Sequence, residues 1–181
     1  GEIYIKDKKI RDYSPVELRR LVGIALQSAP MVEGDVYYNL GLPMQLQGKL
    51  LPEEEARNLL NVVGLGEDYL RRNIKDLSGG QRQKVSIART LVNRPKILLL
   101  DEITSSLDQV SQKEIDELIV EISRKYGVTI IWITHNLQQA ISVGTYTWVL
   151  MSGELIEGGK SNILQSSSNE RVQAFVKGEI G

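Results

Sequence analysis

The chain has 181 residues, 41% of them apolar and 25% charged, with a net charge of -1 and no cysteine. That is enough for one domain with a sizeable core, and it excludes disulfides and thiolate metal centres. The near-neutral charge gives no electrostatic reason to expect nucleic-acid binding, and no apolar run reaches the ~18 residues that span a bilayer.

The opening "GEIYIKDKKIRDY" alternates apolar and polar residues and predicts an edge strand or hairpin. "SPVELRRLV" predicts a short helix with Ser14 as N-cap, Pro15 at the first helical position and Glu17 in the first turn. "GIALQS" reads as a brief apolar strand ending at Gln27. From Val36 to about Asp76 the pattern turns helical, broken by Gly41, Pro43, Gly48 and Pro52, and predicts a small helical subdomain inserted into the main fold.

Alternating elements follow. They are a helix near 80–93, a strand at Ile97–Leu100, a helix from about Gln109 to Tyr126, a strand at Val128–Ile133 and a short helix from about Leu137 to Ser142. "YTWVLM" then leads into a hairpin, "LQSSSNE" reads as a surface linker, and a tail helix is expected near Asn169. This order predicts an α/β fold, a mostly parallel sheet covered by helices on both faces. The expected division is a core of residues 1–35 and 77–160, a helical subdomain at 36–76 and a tail at 161–181.

Three features carry chemistry. "ILLLDE" places Asp101 and Glu102 at the end of a buried strand, the carboxyl edge where α/β sheets bind ligands. Adjacent carboxylates there suit a Walker-B element, Asp101 holding Mg²⁺ through its water shell and Glu102 accepting a proton from an attacking water. His135, the one histidine, ends the strand "TIIWITH" on the expected same edge, within reach of a terminal phosphate. Ser78, Gly79 and Gly80 precede a helix, so unpaired backbone N–H groups and the positive end of the helix dipole form a seat for an anion.

With these residues in view, "LSGGQRQKVSIARTLVNRPKILLLDE" resembles the signature-to-Walker-B run of ATP-binding cassette (ABC) ATPases. Gln27 resembles the Q-loop glutamine, Leu77–Gln81 the signature motif, "SSLD" at 105–108 the D-loop and His135 the switch histidine. The similarity runs from Gly1 to about Gly159, and five motifs in order are far more specific than one. It implies a P-loop NTPase-like core using ATP and Mg²⁺. Gln27 and Asp101 would be at the metal, Glu102 would be general base and His135 would hold the γ-phosphate. Ser78, Gly79, Gly80 and Gln81 would meet ATP held on a second copy of the domain, with Asp108 as a cross-dimer contact. The usual proline after the Walker-B glutamate is Ile103 here.

The resemblance further implies the ATP-hydrolysing subunit of a membrane transporter, cytoplasmic and peripheral on the inner face of the membrane, with an integral membrane subunit as partner and no nucleic acid. "SAPMVEGDVYYNL" and "LLLDEITSSLD" look most like small bacterial cassettes linked to metal or anion traffic. A soluble cassette of the chromosome type would place a long coiled coil before the signature; Gln27 to Leu77 spans only 50 residues with no sustained heptad. Translation-factor types, usually with two cassettes in one chain, remain as an alternative. A degenerate regulatory cassette would have had to spare Gln27, Ser78, Glu102 and His135 together.

A P-loop, G-x-x-x-x-G-K-[ST], is missing from this order. "GELIEGGKS" at 153–161 is off by one and reads as a glycine-rich turn leaving a hairpin. The chain begins with Gly1 inside a strand, so the expectation is a fragment whose P-loop lies upstream. Such a piece alone is expected to bind ATP poorly and not to turn it over, and to leave an inner face of its sheet apolar and uncovered.

Overall fold

A computed structural model describes residues 1–178. The chain divides into two compact units, Gly1–Ile133 and Thr134–Gly181. The helical stretch 36–76 falls in the first, and the expected tail is met in the second as far as Gly178. Among the described residues, no helix is long and apolar enough to cross a membrane.

The first unit opens with a hairpin of β1 (Tyr4–Ile5) and β2 (Lys8–Lys9). Helix α1 (Pro15–Leu21) starts where the sequence places it. Ser14 Oγ accepts from the Glu17 N–H at 3.2 Å, and the Glu17 carboxylate accepts from the Ser14 N–H at 3.0 Å. These reciprocal bonds satisfy two of the donors that a helix start leaves open. Three parallel strands follow in the order β3 (Val22–Leu26), β4 (Ile97–Asp101) and β5 (Thr129–Ile133). The register pairs Val22 with Ile97 and Ile97 with Thr129, and closes on Leu26, Asp101 and Ile133.

Strand alternation divides the sheet into two faces. Ala25, Leu98 and Leu100 are buried and belong to one core with Val85, Ile87 and Ala88 of α4 (Gly79–Leu91) and Ile115, Ile119 and Ile122 of α5 (Gln109–Tyr126). The opposite face carries Ile24 (55% exposed), Leu26 (42%), Ile131 (39%) and Ile133 (58%). The expectation of cover on both faces is therefore corrected. Within the first unit, α4 and α5 cover one face, and the other carries these apolar side chains exposed.

Residues 36–76 form α2 (Val36–Gln45), α3 (Glu53–Val62) and two 3₁₀ turns at Glu67–Arg71 and Ile74–Asp76. Helix α2 runs through Gly41 and Pro43 instead of breaking there. Pro43 lies in the last turn, where the N–H it lacks removes a single bond. Leu40, Leu60 and Leu70 are buried in the same core as the sheet, each contributing roughly 1.5–3 kcal/mol by burial. Asn39, fully buried, ties the segment after Gln27 to α2. Its Oδ1 accepts from the Val32 N–H at 2.9 Å, and its Nδ2 donates to the carbonyls of Val32 (2.9 Å) and Asp35 (3.0 Å).

The second unit comprises α6 (Leu137–Val143), an antiparallel hairpin of β6 (Tyr146–Met151) and β7 (Glu154–Lys160), α7 (Ile163–Ser166) and α8 (Glu170–Val176). Its core joins Val149, Leu164 and Val172. The stretch expected as a surface linker thus begins in a short helix anchored by buried Leu164, and the tail helix packs through Val172. The rejected P-loop match is strand β7. Gly158 pairs with Trp148, and a Cβ there would lie 2.9 Å from the Trp148 ring, so the glycine serves hairpin packing.

Two outcomes follow from this packing. Asn39→Leu removes three hydrogen bonds and leaves partly buried backbone groups unpaired, so urea unfolding should show a loss of about 2 kcal/mol. Replacing Ile24 and Ile133 with asparagine should reduce concentration-dependent association in sedimentation experiments with little change in stability, because both are already solvent-facing.

Candidate functional site

The level ending of three parallel strands builds the first part of the site. Asp101 closes β4 between Leu26 and Ile133, exposed at the carboxyl edge, and Glu102 follows half-buried. Glu102 holds φ at +47°, a left-handed conformation that costs a non-glycine residue about 1–2 kcal/mol. Three hydrogen bonds keep it there. Its N–H donates to the Ile133 carbonyl at 3.0 Å, and its own carbonyl accepts from the Ser105 N–H (3.0 Å) and the Ser105 hydroxyl (2.9 Å). Ile103, where the family has proline, and Thr104 are buried and anchor the turn beneath the acids.

Gln27 stands one residue past Leu26, and its Nε2 donates to Ser105 Oγ at 2.8 Å. Two residues of α4 secure its neighbours. Buried Gln83 donates to the Leu26 carbonyl at 3.3 Å, and Arg89 Nη2 donates to the Pro30 carbonyl at 2.7 Å. Burial pushes the Arg89 guanidinium below its ordinary pKa. The structure therefore brings Gln27, Asp101, Glu102 and Ser105 to one sheet edge.

The second part is the start of α4. Ser78 Oγ accepts from the Gln81 N–H at 3.2 Å, and Gln81 Oε1 accepts from the Ser78 N–H at 3.0 Å. Gln81 Nε2 donates to the Tyr69 hydroxyl at 3.0 Å. The S-x-x-Q spacing encodes this capping box, which the expectation of an anion seat did not include. Gln81 is thus engaged at both ends of its amide. The N–H groups of Gly79 and Gly80 make no such bond and stand at the positive end of a 13-residue helix. A cleft of about 300 Å³ opens beside them, its lining including Tyr69, Ser78, Gly80, Gln81, Ser111 and the Lys84–Glu114 ion pair. A larger groove of about 620 Å³ between α3 and α5 contains none of the expected site residues.

Gly80 must be glycine for a reason apart from any ligand. A Cβ there would lie 2.9 Å from Ser111 Oγ and 3.1 Å from Ser111 Cβ. Residues 102–108 join the two parts, ending at Asp108, the N-cap of α5. Its carboxylate accepts from the N–H groups of Val110 and Ser111, both at 3.0 Å, and from the Ser111 hydroxyl at 2.7 Å. The Ser111 N–H, then its hydroxyl, hold the Asp108 pKa below the ordinary aspartate value. Sequence reading offered Asp108 only as a contact to a second copy and did not foresee this bonding to its own helix.

His135 lies in an exposed bend at the start of the second unit, two residues after Ile133. Among the described residues, no group of three His, Cys, Asp or Glu side chains could hold a metal ion by itself. The oxygen donors at the sheet edge are two carboxylates and one amide, a hard set that suits Mg²⁺ bound together with substrate phosphates.

A family model described as "ABC transporter" matches residues 1–105. Among curated proteins, the chain is 42% identical over 179 residues to the putative ABC transporter ATP-binding protein YjkB of Bacillus subtilis, covering 98% of this chain and 71% of that one. It is 38% identical to the phosphate import ATP-binding protein PstB of Campylobacter jejuni, covering 100% of this chain and 76% of that one. Among solved structures, it resembles cbiO1 of Clostridium perfringens, part of the ABC transporter complex cbiONQ. The TM-score is 0.79 at 30% identity, over 99% of this chain and 76% of that one. It also resembles a dimeric ATP-binding cassette in a post-hydrolysis state with ADP and Pi, with a TM-score of 0.75 at 30% identity, over 89% and 73%.

The Asp108 geometry sets a pH test. Because folding lowers its pKa, the stability it adds is present above the ordinary aspartate value, about 3.9, and is lost as pH falls through the folded value. NMR titration should place the Asp108 midpoint below that of a free aspartate, and Ser111→Ala should move it back upward.

Proposed function

The chain belongs to the ABC transporter family, and from that premise we propose how its residues serve an ATP-binding subunit that couples closure of two cassettes to transport. The observation that carries the reading is the pair of amides at Gly79 and Gly80, set at the positive end of α4 without partners of their own. They receive the terminal phosphate of ATP held by a second copy, with the Ser78 hydroxyl still able to donate its proton.

At the sheet edge, Asp101 and the Gln27 amide oxygen would hold Mg²⁺, which when bound would neutralise charge on the phosphates. Glu102, fixed by its left-handed backbone, accepts a proton from the attacking water. His135 holds the γ-phosphate, and Asp108 presents the start of α5 to the facing copy. Gln27 also senses the γ-phosphate and passes its state to the segment that Arg89 and Asn39 anchor, the surface offered to an integral membrane subunit. With such a partner, the protein would work at the inner face of a membrane.

Cargo is not written in these residues. PstB is named for phosphate import and cbiO1 for the cbiONQ complex, so similar cassettes serve different transporters, and the membrane partner makes the choice.

The 181 residues contain no G-x-x-x-x-G-K-[ST] loop, so the chain alone should show no saturable ATP binding in the micromolar range. Joining a strand–P-loop–helix segment ahead of Gly1 should confer binding and hydrolysis. In that extended chain, Glu102→Gln should cut kcat by roughly 10²–10⁴-fold with ATP affinity retained. Undiminished turnover by that variant would exclude Glu102 as the base.

A further inference from the structure

Ser105 takes no part in the chemistry proposed above, although its hydroxyl lies between two groups that do. Its Oγ accepts from Gln27 Nε2 at 2.8 Å and donates to the Glu102 carbonyl at 2.9 Å, the same carbonyl that its N–H reaches at 3.0 Å. We infer that Ser105 is a positioning residue, whose one hydroxyl fixes which end of the Gln27 amide faces outward and pins the backbone of Glu102.

A hydroxyl has one proton to give. With that proton on the Glu102 carbonyl, Oγ can only accept, so Gln27 must offer its NH₂ group. The amide oxygen, the one atom of that group able to bind a hard cation or accept from a water, is then the end not held by Ser105. Reversing the Gln27 amide would set oxygen against oxygen unless Ser105 turned its proton away from Glu102. The hydroxyl therefore couples the orientation of Gln27 to the turn that carries the acid. Glutamate at 27 could not donate, so Ser105 would have to release the Glu102 carbonyl to satisfy it.

The hydrogen-bond relay stands on the geometry alone; its consequence for hydrolysis rests on the function proposed above. Each is read separately. In the 181-residue chain without nucleotide, ¹⁵N spectra of Ser105→Ala should move the Gln27 side-chain NH₂ pair to the position of a free glutamine, while Ser105→Thr keeps it near the native one. A Gln27 pair unmoved by Ser105→Ala overturns the relay. In the P-loop-extended chain, Ser105→Ala should lower kcat about tenfold with KM for ATP unchanged, and Ser105→Thr should restore most of it. Equal losses in both variants, or a change confined to KM, overturn the positioning role. If the extended wild-type chain does not hydrolyse ATP, the function reading fails, and the spectra still decide the relay.

Discussion

The register that ends β3, β4 and β5 level is the constraint on which the rest depends. Leu26, Asp101 and Ile133 lie side by side, and the chemical groups at the sheet edge are Asp101 itself and the residues that come next. Gln27 follows β3, Glu102 follows β4, and the carbonyl that closes β5 receives the Glu102 N–H. Because side chains alternate along a strand, a slip of one residue would turn Asp101 into the helix-covered core and Leu100 out of it. Burial of Leu98 and Leu100 against α4 and α5 forbids that slip. The hydrophobic core thus sets the position of the acids.

Small hydroxyls do the local work of holding the loops. Ser14 and Ser78 close capping boxes, Ser111 bonds the Asp108 carboxylate, and Ser105 links Gln27 to Glu102. Ser14, Ser78 and Ser111 lie at helix starts, where backbone groups lack partners of their own, and Ser105 lies in the turn after β4. The seven residues from Glu102 to Asp108 consequently touch both parts of the site: the acids at one end, and at the other α5, whose Ser111 abuts Gly80. The start of α4 and the start of α5 therefore meet closely at Gly80, where a side chain would crowd Ser111.

Much of this was legible in the sequence, because it is written in short-range code. Periodicity placed α4, α5 and the three parallel strands, and Ser14-Pro15 with Glu17 marked α1. The order of Gln27, Ser78–Gln81, Asp101–Glu102, Asp108 and His135 carried the family. What was missed depends on contacts across the fold. Gln27 and Ser105 are 78 positions apart, and nothing local in "SSLD" announces the pairing. Gly80 looked like a phosphate residue alone, and the room that Ser111 denies a side chain there is visible only once α4 and α5 meet.

The central claim is that the Gly79 and Gly80 amides receive a terminal phosphate from a facing copy. Backbone ¹⁵N–¹H spectra of the P-loop-extended chain carrying Glu102→Gln, recorded as ATP and Mg²⁺ drive two copies together, test it most directly. The account predicts downfield shifts of both glycine amides, with the Gln81 amide, already held by Ser78, moving far less. A dimer that forms with the Gly79 and Gly80 resonances unmoved would contradict it.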